Sequence, residues 1–68
     1  MENIELTVGK RYLFQSKSLF TDEIVEGKIL EISPSKDYIK IQWKNGYEMW
    51  VKRVKFEQEY RFIEQLSH

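Results

Sequence analysis

Apolar and polar positions alternate in short bursts along this chain, and the bursts predict strands. The strictest is "YIKIQW" (38–43), which sends Ile39, Ile41 and Trp43 to one side and Tyr38, Lys40 and Gln42 to the other. "KRYLFQ" (10–15) follows Gly9 and is rich in aromatics, as strands are. "IVEGKILEIS" (24–33) is long for one strand, and its Gly27 is where a bulge or sharp bend is expected. Between these runs, "SKSLFTDE" (16–23) has the composition of a loop with Leu19 and Phe20 at its tip, and "PSKD" (34–37) reads as a turn. The last stretch, "VKFEQEYRFIEQLSH" (54–68), carries two periods at once. Phe56, Tyr60, Ile63 and Ser67 recur at helical spacing, whereas "YRFIEQL" suits a strand with Tyr60 and Phe62 inward. A short turn at 55–58 followed by a fifth strand is the favoured reading, with four strands and one helix as the alternative. At the other end "IELTV" also alternates, so residues 1–6 are either a loose tail or an added strand.

The octet "WKNGYEMW" (43–50) sets the register of the central hairpin. A two-residue Asn45-Gly46 loop would put Trp43 opposite Glu48 and Ile39 opposite Lys52, mixing apolar and charged groups on one face. A three-residue loop, Lys44-Asn45-Gly46 with Gly46 left-handed in a bulge, pairs Trp43 with Tyr47, Ile41 with Met49 and Ile39 with Val51. Because a slip of one residue turns every side chain to the other face, the pattern selects the second register. Ile39, Ile41, Trp43, Tyr47, Met49 and Val51 are then expected in the core. Trp50 is turned to the opposite face with Tyr38, Lys40, Gln42, Glu48 and Lys52.

At 68 residues the chain has room for one domain, 1–68, with a thin core. It contains no Cys, and its one His is residue 68, so neither disulfides nor a metal are expected to stabilise it and no cofactor is expected. No apolar run approaches the ~20 residues of a membrane span, and the N-terminal stretch does not read as a signal peptide. A soluble, cytoplasmic protein is the expectation, with no membrane partner.

The zero formal net charge hides an uneven distribution. Residues 1–35 hold four basic and six acidic groups, residues 36–55 six and two, and residues 56–68 one and three. A basic hairpin thus lies between two acidic ends. Lysines guarding a solvated sheet edge explain this as well as an anion-binding patch does.

Little here points to catalysis. The acidic residues stand as exposed singles, or as the adjacent Asp22-Glu23 of a loop, and there is no thiol. Gly9, Gly27 and Gly46 are isolated, so no phosphate-binding loop is present. The expectation is a protein that is not an enzyme.

The segments "VGKRYLF", "VEGKILEI" and "YIKIQWKNGYEMWV" together resemble the Tudor/SH3-like small β-barrel group. The resemblance implies an all-β, five-stranded SH3-like (Tudor-like) barrel with a short turn or 3-10 segment before the last strand. Similar barrels include KOW-type and phage-encoded ones. Tudor domains that read methylated Lys or Arg hold the ligand in an aromatic cage, and by position Phe20, Trp43 and Tyr47 would be its walls. Position 24, where another cage aromatic is expected, is Ile, and the hairpin loop is shorter than the Tudor loop.

Two roles follow from these residues. As a protein- or peptide-interaction module, the chain would use Trp50, Phe20 and Leu19 as anchors. As a single-stranded nucleic-acid binder, it would offer Lys40, Lys52 and Lys44 to phosphates and Tyr38 and Trp50 to bases, with Arg53 and Lys55 extending the track. The neutral total favours the protein partner. An exposed edge on the first or last strand would allow a monomer or a weak dimer.

Overall fold

Residues 6–18 and 23–66 are described by the structure, a computed structural model. Five strands and one helix follow in order: β1 (Arg11–Ser16), β2 (Ile24–Ile32), β3 (Tyr38–Trp43), β4 (Glu48–Lys52), α1 (Arg53–Glu59) and β5 (Tyr60–Gln65). The strands form one antiparallel sheet in the order β4-β3-β2-β1-β5.

This sheet is open, which corrects the expected closed SH3-like or Tudor-like barrel. β4 and β5 are its two edges and are not hydrogen-bonded to each other. The chain crosses from one edge to the other through α1, a seven-residue α-helix rather than a short turn or 3-10 segment. Both readings of the last stretch therefore contain part of the answer, since a helix occupies 53–59 and a strand follows it at 60–65. The edges open for pairing are β4 and β5, so the last strand is an edge as expected, whereas the first strand, β1, lies between β2 and β5.

The core is the inner face of the sheet covered by α1. Tyr12, Phe14, Ile29, Ile39, Ile41 and Phe56 are its buried apolar residues, and Leu6, Val25, Ile32, Trp43, Val51, Tyr60 and Phe62 pack around them. Tyr60 and Phe62 point inward from β5 as the alternating pattern predicts. The buried Tyr12 keeps its hydroxyl useful by accepting a hydrogen bond from the Thr7 N–H at 2.8 Å. That bond ties residues before β1 to the sheet. Tyr12→Phe is expected to cost about 1 kcal/mol in urea unfolding, the worth of one such bond. An unchanged midpoint would show that water serves Thr7 equally well.

Bends in the strands do not fall where Gly27 suggested. Gly27 pairs regularly with Tyr12 on one side and Trp43 on the other, and the register shifts lie instead at Leu30, between β2 and β3, and at Ile63, between β5 and β1. Gly27 is needed for space. A Cβ there would stand 2.9 Å from Ile41 Cγ2 and 3.3 Å from the Trp43 ring.

Candidate functional site

The β3–β4 hairpin has the register that its apolar pattern selects: Ile39 faces Val51, Ile41 faces Met49, and Lys40 faces Trp50. Its loop is the three-residue kind. Gly46 N–H donates to the Trp43 carbonyl at 2.8 Å, Trp43 N–H donates to the Tyr47 carbonyl at 2.8 Å, and Gly46 has φ of 92°, the left-handed value a bulge of this kind requires. Asn45 Oδ1 also accepts from Tyr47 N–H, at 2.9 Å, and holds the turn from outside.

One member of the expected core is misplaced by the sequence reading. Tyr47 is 62% exposed, because it sits at the mouth of the loop where the sheet ends and none of the described elements covers it. Trp43, opposite it, turns inward. Its ring lies 6.3 Å from Phe56 and 5.9 Å from Tyr60, so its aromatic neighbours come from α1 and β5. Of the three candidate cage residues, Trp43 thus packs on the core rim and Tyr47 stands outside it. Phe20, like Leu19, lies outside the described residues.

On the outer face the hairpin carries a two-by-two block. Tyr38 faces Lys52 and Lys40 faces Trp50, so the two aromatics occupy one diagonal and the two lysines the other. Tyr38 is 46% and Trp50 47% exposed, high values for rings of this size on a regular strand. The lysines differ from each other. Lys40 Nζ lies 3.6 Å from a Glu48 carboxylate oxygen and 4.0 Å from one of Glu31, while Glu48 also accepts from Gln42 Nε2 at 3.2 Å. Lys52 is in no ion pair among the described residues, and neither is exposed Lys44 in the loop. Of the extended basic track, Arg53 is held by Glu57 at 3.4 Å, and Lys55 stands on α1 with no carboxylate partner among the described residues.

No protein-family model matches this chain. Comparison with curated proteins and with solved structures gives no match either. The site is therefore read from its own geometry.

A feature absent from the sequence reading lies beside the block. Between β4 and α1 runs a groove of about 370 Å³ bordered along β4 by residues 49–52, including Trp50 and Lys52 of the block, and on its other side by Phe56, Tyr60 and the exposed Lys55 and Glu59. The helical spacing of Phe56 and Tyr60 was the only signal for it. Taken together, the surface offers exposed aromatics, a neutralised lysine, a few unpaired cations at the rim and a shallow apolar channel. Exposed aromatics beside a groove are features of protein-interaction surfaces.

Proposed function

We propose that the chain is a non-catalytic protein-interaction domain that docks a protein or peptide on the outer face of the β3–β4 hairpin. Trp50 and Tyr38 are the anchors, and Lys52 and Lys44 lie at the rim. The observation that carries this reading is the diagonal of two half-exposed rings on a regular sheet, with the lysine between them already held by Glu31 and Glu48. Aromatic rings on rigid backbone lose little entropy on contact and supply most of the energy at protein interfaces. A phosphate backbone would need Lys40 released from two carboxylates, which weakens the nucleic-acid alternative.

A displayed peptide library, selected on the wild-type domain and counter-selected on Trp50→Ala, tests the proposal. Selected peptides should lose at least about 30-fold in affinity on Trp50→Ala, the equivalent of a ~2 kcal/mol hot spot. Tyr38→Ala should weaken them as well. Folding stability should change by no more than about 0.5 kcal/mol, as at other exposed sites. Binding that ignores both variants would move the contact elsewhere. A single-stranded oligonucleotide that shifts the Trp50 indole signal at low salt, and steeply less at moderate salt, would replace the protein reading with the nucleic-acid one.

A further inference from the structure

The edge strand β4 is open in a way that suits one partner in particular. Trp43 N–H donates to the Tyr47 carbonyl, and Arg53 N–H donates to the Asp37 carbonyl, each at 2.8 Å. Residues 47, 49, 51 and 53 therefore turn their backbone polar groups toward β3 and the turn before it. By alternation, Glu48, Trp50 and Lys52 turn theirs outward, where no strand lies among the described residues. The Lys52 carbonyl is the exception, since Lys52 caps α1. The groove between β4 and α1 keeps this edge accessible.

We infer that β4 pairs with β4 of a second copy of this chain, antiparallel about a two-fold axis through Trp50, joining two five-stranded sheets into one. The segment "EMWVK" (48–52) is complementary to itself in that arrangement. Glu48 faces Lys52 of the second copy and Lys52 faces its Glu48, Met49 faces Val51, and the two Trp50 residues lie side by side. Parallel pairing would set Glu48 against Glu48 and Lys52 against Lys52, and like charges directly opposite one another destabilise a sheet. Lys52 is in no ion pair among the described residues, and Glu48 of the second copy, whose carboxylate also meets Lys40 of its own chain, supplies one.

Exposure along the edge fits the same axis. Tyr47 and Val54 flank the strand at 62% and 60% exposure, the highest among the exposed large hydrophobic residues described. In the pairing the Tyr47 end of each β4 meets the start of α1 in the second copy, where Val54 stands. Self-addition at an edge is also what an unprotected strand without Pro or bulge invites. The inference does not depend on the docking role of the outer face, and a dimer would simply present two Trp50–Tyr38 diagonals as one patch.

Sedimentation equilibrium of the full chain from micromolar to millimolar concentration tests the pairing. The wild type should sediment as two chains at the upper end. Lys52→Glu, which sets carboxylates opposite each other at both ends, should raise the dissociation constant at least about ten-fold. The double variant Glu48→Lys with Lys52→Glu should restore it, with circular dichroism showing all three proteins folded. A wild type that remains monomeric at millimolar concentration overturns the inference. So does a dimer that Lys52→Glu leaves intact, the result expected if β5 or the outer face held the copies together, or a folded double variant that fails to reassociate.

Discussion

Phe56→Ala should unfold most of the domain's stability in one step, at a loss of about 3–5 kcal/mol. A chain of 68 residues has roughly 3–10 kcal/mol in total, so the variant is expected to be marginal or unfolded at room temperature. Phe56 is the buried residue of α1, and its ring meets Phe14 edge-on at 4.9 Å and stacks on Tyr60 at 5.0 Å. Besides that packing the helix is held by exposed polar contacts, Lys17 N–H and Nζ donating to the Glu59 and Glu57 carbonyls at 2.9 and 2.8 Å and Arg53 pairing with Glu57 at 3.4 Å. It is seven residues long, with no side-chain cap, no acidic group in its first turn and no basic group in its last. Helices this short do not persist on propensity alone, so packing of Phe56 is what keeps α1 across the open side of the sheet. Urea unfolding followed by tryptophan fluorescence would measure the loss, with Trp43 reporting because it also packs on Phe56. A loss under about 1 kcal/mol would mean that the sheet is stable without its helix.

Gly27→Ala should cost about 1–3 kcal/mol, although alanine in place of glycine within a strand ordinarily stabilises it. Backbone strain is not the cause, because the described glycines with positive φ are Gly9 and Gly46. The cost arises from the 2.9 Å approach of the new methyl to Ile41 Cγ2, a side chain with no exposed surface and no room to retreat. The partner change follows from the geometry. Ile41→Leu removes that branch, so the double variant Gly27→Ala with Ile41→Leu should lose less than the sum of the single losses. Strict additivity would point instead to the Trp43 ring, 3.3 Å away, as the group that cannot move.

These two positions also mark where sequence reading succeeded and failed. Gly27 stood out as special, but a glycine in a strand signals either a bend or a close approach, and the choice depends on what lies across the sheet. The neighbours Ile41 and Trp43 are set by β2–β3 pairing. Phe56 belonged to a helical period that competed with a strand period over the same residues. Neither period is false: the helix ends where Tyr60 turns extended, with its N–H still bonded to the Phe56 carbonyl.

For the candidate site, the exposure of Trp50 beside Tyr38 was legible and the state of the lysines was not. Lys40 looked like part of a free basic patch. Its neutralisation depends partly on Glu31, on β2, and the register shift at Leu30 is what sets Glu31 opposite Lys40. Tyr47 was expected inward from strand parity, which cannot say where the covering layer stops.

What the sequence determined alone is the hairpin: period-two alternation, a short loop and one left-handed glycine select a single register, because every alternative turns charges into the core. That selection is local, made between residues a few positions apart, and it places Trp50 on the outer face. Tertiary structure decided whether the two outer strands meet. β4 and β5 are neighbours in sequence, separated only by α1, yet they end at opposite edges of the sheet because β5 pairs with β1 rather than with β4, a choice between distant strands that local periodicity cannot make.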